Sequence, residues 1–295
     1  MSRHYRAVFL SPHLDDAVFS CGALIAKLAQ SGEGVLIINI FSEYGEKSDR
    51  HEEESRVADF LNIDILHLGE LDAVFRNKSY KSLLQMFSRV DSADRLSLPG
   101  LANKLKNLLV GITYDTIYAP LGVGWHVDHL LTHELSQLIG EKTKLCYYED
   151  APYTLLPNFI DYRLAQFGAK PTPNIANAAR AASKAMMSSA ATLKFSRSPF
   201  RFLIRWVMTA WFWVLLRRQC RAVVSLRKFE YEVIEVEAQL SIKIDACELY
   251  QSQFGEFYFD RQDCESRLRK YAMQITGLAT YNERYWWPGQ KPHGG

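Results

Sequence analysis

The chain has no C-x-x-C pair. Its five cysteines (Cys21, Cys146, Cys220, Cys247 and Cys264) are scattered and odd in number. That pattern fits reduced thiols in the cytosol better than a disulfide frame. Charge is nearly balanced, with 35 Lys and Arg against 33 Asp and Glu for a net of +2. Nucleic-acid binding needs a basic stripe, so no nucleic-acid partner is expected. Gly-x-Gly-x-x-Gly is missing after the first apolar run, which disfavours a dinucleotide site. No internal repeat or low-complexity tract stands out. The opening Met-Ser-Arg-His-Tyr-Arg leads to candidate site residues by position 13. No signal peptide fits there, and a cytoplasmic location is expected.

What is present is an ordinary globular composition, 295 residues at 48% hydrophobic and 23% charged. That length buries a full core as one large domain or a domain with an insert. Short apolar runs at Ala7–Leu10, Val35–Phe41, Ile63–Leu68, Thr116–Ala119 and Leu145–Tyr148 read as strands. Helical patterns near 17–31, 50–61, 100–111 and 128–139 lie between them. Such alternation predicts an α/β fold, a Rossmann-like, mostly parallel sheet covered by helices.

The rhythm changes over 168–227, a helical insert in a single domain spanning 1–295. Ala176–Ala191 reads as a plain helix, and Ser196–Pro199 then breaks the chain. Phe200–Leu216 is nearly all apolar and carries Trp206, Trp211 and Trp213. Arg201, Arg205 and Thr209 recur every four residues, a narrow polar stripe on a broad apolar helix. Two internal arginines in about seventeen residues argue against a spanning helix. Three alternatives stay open: a core or lid helix, an interfacial helix meeting anionic lipid through 197–221, and an oligomer contact. Beyond the insert, Phe229–Val233 alternates as a strand and Glu237–Phe254 reads as one closing helix. The tail ending Pro292-His-Gly-Gly295 is expected to be disordered.

The chemistry is concentrated in two short clusters. His13-Leu14-Asp15-Asp16 ends the first strand, and His126-Val127-Asp128-His129 follows more than a hundred residues later. The first lies on a turn at the carboxyl edge of a strand, where open α/β sheets place ligands. A His and an Asp three residues apart there can converge on one ion. A third, distant ligand completes a two-His, one-carboxylate set with an open position, which is how catalytic zinc is held. Taken singly, Asp15 or Asp16 reads equally as a helix cap, and a lone His as a core or surface residue.

Ser11-Pro-His-Leu-Asp-Asp-Ala-Val-Phe-Ser-Cys-Gly22 resembles the signature of the PIG-L (LmbE-like) family of zinc-dependent N-deacetylases. Gly124-Trp-His-Val-Asp-His129 resembles its second motif. Further likeness lies in Arg50 and Glu54 before Ala58 and Leu61, in His67–Asp72, in Tyr147–Tyr153 and in Lys243–Gln253. Leu14 and Ala17 depart from the Pro and Glu of many members, so a carboxylate contact from position 17 is absent. Gly124 stands where some thiol-pathway members carry Tyr, which argues against mycothiol biosynthesis.

The resemblance implies that His13, Asp16 and His129 bind Zn²⁺, with Asp15 as general base. His126 would be the donor opposite the metal, or the acid that protonates the leaving amine. Asp128 would orient or charge-tune His126, or simply cap or lie on a helix. Arg50 and Asp72 match substrate-contacting positions, although an Arg in so charged a stretch also reads as a solvated face. Glu149 and Asp150 follow the fifth strand, either in the pocket or capping the next turn. The implied activity is removal of an N-acetyl group from an amino-sugar conjugate of N-acetylglucosamine type. Two other functions remain: an idle sugar- or lipid-binding module, and an amidase acting on a non-sugar amide.

Overall fold

In a computed structural model, the described residues are 4–44, 49–87, 89–139, 144–187, 200–220 and 228–289. The tail beyond 289, the break at Ser196–Pro199, Arg197, Arg221 and the end of the helix expected over Ala176–Ala191 lie outside them.

Strands β1 (His4–Ser11), β2 (Val35–Asn39) and β3 (Asp64–His67) alternate with helices α1 (Asp16–Gln30) and α2 (Arg50–Leu61). Short helices α3 (Ala73–Arg76) and α4 (Leu83–Met86) precede α5 (Ser92–Leu108), β4 (Thr113–Pro120), α6 (Val127–Ser136) and β5 (Leu145–Tyr148). Next come α7 (Phe159–Gln166), α8 (Ile175–Met186), α9 (Arg201–Cys220) and β6 (Phe229–Glu235). Helices α10 (Leu240–Leu249), α11 (Gln251–Phe257) and α12 (Arg261–Thr276) lead to the last strand, β7 (Asn282–Pro288).

The strands form one sheet in the order β3-β2-β1-β4-β5-β7-β6. The first five run parallel, and β7 pairs antiparallel with both β5 and β6. Alternate residues explain why the sheet is covered on both faces. Val8, Leu10, Leu36 and Ile38 enter one apolar core, while Ala7, Phe9, Val35 and Ile37 enter the other. The chain crosses to β2 on one side of β1 and to β4 on the other. The topological switch, and with it the ligand crevice, therefore falls at the carboxyl ends of β1 and β4.

Three expectations need correction. Helix α5 begins at Ser92 rather than near 100, because the Asp91 carboxylate caps Ala93 N at 2.9 Å. The single closing helix over Glu237–Phe254 is broken at Tyr250, whose hydroxyl donates to the Leu14 carbonyl at 2.8 Å. That bond ties the break to the loop after β1. The C-terminal strand and helix are followed by α12 and by β7, which separates β6 from β5. Strand β7 carries Glu283, which accepts from Lys243 Nζ at 2.8 Å and from Leu24 N at 3.0 Å, welding the last strand to α1 and α10. A Cβ at Gly22 would stand 2.9 Å from Lys243 Cγ, so the buried lysine passes only over a glycine.

In the insert, Phe212, Leu215 and Leu216 of α9 join the core, and Ser183 Oγ of α8 meets Thr209 Oγ1 at 2.7 Å. The other half of α9 is bare: Phe202 and Trp206 are 70% and 71% exposed. No described helix is long and apolar enough to cross a membrane.

Candidate metal centre and active-site cleft

The turn after β1 is held by its own side chains. Ser11 Oγ accepts from Ala17 N at 3.0 Å and donates to the His13 carbonyl. Asp16 Oδ2 accepts from His13 N at 2.9 Å and lies 2.9 Å from His13 Nδ1. The same oxygen stands 3.2 Å from His129 Nε2. One atom each from His13, Asp16 and His129 thus converge. His129 Nε2 is buried and, despite that proximity, has no hydrogen bond of acceptable geometry. Asp15 occupies the N-cap position of α1 without making a capping bond. Its buried side chain lines the cleft instead.

The second cluster is shaped by the loop after β4. Gly122 and Gly124 have φ of 83° and 87°, and Trp125 has φ of 62°. Asp150 Oδ2 accepts from Gly122 N and Val123 N at 2.8 and 2.9 Å, while its Oδ1 is 2.7 Å from His129 Nδ1. Asp150 therefore belongs to the site and orients its histidine; capping the next turn is not its role. Glu149 faces away, toward Arg284, Tyr271 and Trp286. A Cβ on Gly124 would fall 2.5 Å from Tyr153 Cγ, because the Tyr153 ring fills that space. That ring packs edge-on against His129, centroids 5.4 Å apart.

His126 is the N-cap of α6, and its Nδ1 accepts from Asp128 N at 3.3 Å. Its ring lies 5.1 Å from that of His13 and 5.5 Å from that of His129. Ligand atoms of these three histidines are also close enough to share one ion. The orienting duty expected of Asp128 is corrected, although its charge does act on His126, raising it against the larger effects of burial and His13. Its carboxylate does not hydrogen-bond to His126; it accepts from Ala73 N at 3.0 Å, pairs with Arg76, and lies 3.2 Å from His13 Nε2. His13 is thus the imidazole it orients. Asp72 caps Val74 N at 3.0 Å and stands 3.4 Å from His13 Nε2. Arg50 lies over the Tyr44 ring at 4.5 Å and lines the cleft.

The electrostatics suit a cation. Burial alone would raise the Asp16 carboxyl, yet the His129 and His13 imidazoles hold it well below the ordinary range. Burial opposes a charge on His129, but Asp16 and Asp150 lift it to about 9. His13 is raised well above its usual value despite burial, mainly by Asp16 and Asp128. Buried Asp16, Asp128 and Asp150 therefore gather positive charge at this point, and beside the Arg76 guanidinium on Asp128 two imidazole protons supply it. A divalent ion could replace both. By contrast, burial and the neighbouring charge of His13 push His126 down to about 3. Burial and Asp16 push Asp15 up to about 6.

The cleft above these residues holds about 900 Å³. Phe87, Tyr153, Trp211 and Phe212 make one aromatic wall, and Arg267 and Lys270 of α12 stand among the other lining residues. Of this wall, the sequence named Trp211, in an apolar run left open between core or lid, membrane and oligomer contact, and Tyr153, at the end of the Tyr147–Tyr153 likeness.

A parallel-sheet crevice lined by a buried His/Asp constellation defines the class, and comparison with known proteins narrows it. Residues 8–139 match the family model described as PIG-L: GlcNAc-PI de-N-acetylase, and they form a PIG-L family domain. A curated relative, 2'-N-acetylparomamine deacetylase of Streptomyces fradiae, is 28% identical over 176 residues, 54% of this chain. The match spans about three fifths (61%) of that protein's length. Among solved structures, a deacetylase of the teicoplanin biosynthesis pathway superposes with a TM-score of 0.65 at 19% identity, covering 98% of this chain and 100% of its own. A zinc-inhibited form of teicoplanin deacetylase gives 0.64 at 18% identity, with the same coverage. At these identities the two structures establish the α/β fold.

Proposed function

We propose that the chain is a metal-dependent deacetylase, a hydrolase that releases acetate and a free amine from an N-acetylated amino-sugar conjugate. The observation that carries this reading is the convergence of His13 Nδ1 and His129 Nε2 on Asp16 Oδ2, with the buried Asp15 carboxylate, which caps no helix, on the same cleft. The family match and the S. fradiae relative supply the reaction class.

His13, Asp16 and His129 would hold the cation, which we take to be Zn²⁺ from the donor types. When bound, it lowers the pKa of a water toward ~7 and polarises the amide carbonyl. Asp15 accepts the proton of the attacking water. His126 is neutral, and its Nδ1 accepts from a backbone N–H, so its proton sits on Nε2. That N–H serves best as a donor to the developing oxyanion. Asp150 and Asp128 fix the orientations of His129 and His13. Arg50 and Asp72, on the cleft wall, are the groups offered to sugar hydroxyls.

We propose further that the whole chain works as one cytoplasmic catalytic domain, in which the insert roofs the cleft. The inner face of α9 contributes Trp211 and Phe212 to the cleft wall, while its outer face exposes Phe202 and Trp206 next to Arg201 and Arg205. That combination suits peripheral contact with an anionic bilayer. Acetate release measured across acetylated amino sugars and simple amides tests the central reading. Release from amides alone would favour a plain amidase, and no release from any would favour a binding module.

A further inference from the structure

A second set of ligating side chains meets at the end of β3, two strands out from β1 on the same sheet edge. His51 and Glu54 are three residues apart at the start of α2, so they share a helix face. His67 ends β3, in register with Asn39 of β2. One ligand atom from each of His51, Glu54 and His67 lies within 4.8 Å of the other two. None of these residues lines the cleft described above.

Glu54 is fixed and His51 is idle. The Glu54 side chain is 3% exposed, its Oε1 accepts from Asn39 Nδ2, and its Oε2 lies 3.1 Å from His67 Nε2. The His51 ring stands edge-on to that of His67, centroids 5.1 Å apart, and makes no hydrogen bond to another described residue. A simple Glu54–His67 ion pair explains two of the three residues. It gives no reason for a second imidazole beside the first that bonds to no other described residue.

We propose that His51, Glu54 and His67 form a second divalent-metal site, one that takes Zn²⁺ or Co²⁺ with water completing the coordination. Two imidazoles and a carboxylate are donors of borderline softness that suit these ions. Metal–ligand bonds of ~2.0–2.1 Å place tetrahedral ligands about 3.3 Å apart, and the Glu54–His67 separation is already near that. His51 is exposed, so a side-chain rotation closes the set. Its neighbour Arg50 lines the cleft, and a cation that clamps the first turn of α2 to β3 would steady that arginine. This role is structural or modulatory, and its kinetic signature would be a change in KM with kcat preserved. The kinetic arm rests on the proposed deacetylase reading; the binding arm does not.

The test is metal content after equilibration with Zn²⁺ and desalting, in the full chain. Wild type should retain two ions, His129→Ala one, His51→Ala one, and the His51→Ala/His129→Ala double variant none. Co²⁺ added to His129→Ala should give a visible absorption band that His51→Ala or His67→Gln removes. Circular dichroism identifies any variant that fails to fold, and exposed His51 is the substitution least able to cause that. A His129→Ala protein that binds no more Zn²⁺ than the double variant overturns the second site. Metal lost from His51→Ala but fully kept by His129→Ala would instead uphold it and refute the first centre.

Discussion

Asp150 Oδ1 lies 2.7 Å from His129 Nδ1, and the opposite nitrogen of that ring faces Asp16 Oδ2 at 3.2 Å. A carboxylate on one nitrogen fixes the tautomer and leaves the other nitrogen as a ligand. Losing such a partner typically weakens metal affinity by roughly 10–100-fold. Asp150→Asn should show a loss of that size in competition with a chelator, and His129→Ala should abolish binding at this centre. Asp150 also accepts from Gly122 N and Val123 N, so Asp150→Ala should further lower thermal stability. Unchanged affinity in Asp150→Asn would separate Asp150 from the metal centre.

Asp15 should reveal itself through opposite effects on rate and stability. Loss of a general base costs about 10²–10⁴ in rate, so Asp15→Asn should retain metal and lose most of kcat. In the metal-free protein its carboxyl is raised from 3.8 to about 6 by burial and by Asp16. The native state then binds more protons than the unfolded chain between those values, so stability falls as pH rises through that window. About two units correspond to roughly 3 kcal/mol. Metal-free Asp15→Asn should therefore melt higher than wild type at pH 7.5, with the gain shrinking toward pH 4. An equal gain at both pH values would contradict a buried, charged Asp15.

His126 predicts an absence of titration. Burial and His13 push it to about 3, so it stays neutral across the working range and contributes no limb to the pH profile. His126→Ala should keep the metal at His13, Asp16 and His129. Removing an oxyanion donor typically costs about 10²–10³ in kcat. Metal loss in this variant would move His126 from donor to ligand, the alternative that its closeness to His13 and His129 keeps in view.

What was legible in the sequence was local. Period-two burial in β1 and β2 and the turn residues at Ser11–Asp16 follow from short stretches, and the five parallel strands came out near their observed bounds. What was hidden depends on long-range closure. Strand β7 is stabilised by Glu283 reaching Lys243 and α1, partners that no local pattern announces. Asp128 illustrates the same limit. Its neighbour in sequence suggested His126, whereas the fold brings Arg76 and His13 to its carboxylate. The place of Gly124 was noticed but not its cause, since the Tyr153 ring that fills the space comes from beyond β5.

Helix α9 yields the prediction about membranes. The three tryptophans of the run do not share a face. Trp211 lines the cleft, Trp206 is 71% exposed, and Trp213 carries Arg217 over its ring at 4.8 Å. If the outer face enters an anionic bilayer, Phe202, Leu203 and Trp206 supply the apolar contact. Arg201 and Arg205 then meet headgroups, each worth about 1 kcal/mol near the surface. Wild type should co-sediment with vesicles of phosphatidylglycerol and phosphatidylcholine, and binding should weaken as salt rises, because such attraction is screened within ~10 Å at 0.1 M. Phe202→Ser/Trp206→Ser should lose most of the binding while retaining kcat on a water-soluble amino sugar, because neither residue lines the cleft. Trp211→Ser should do the reverse, leaving vesicle binding intact and raising KM. A wild-type protein that stays in the supernatant with anionic vesicles at low salt would assign the outer face of α9 to another chain.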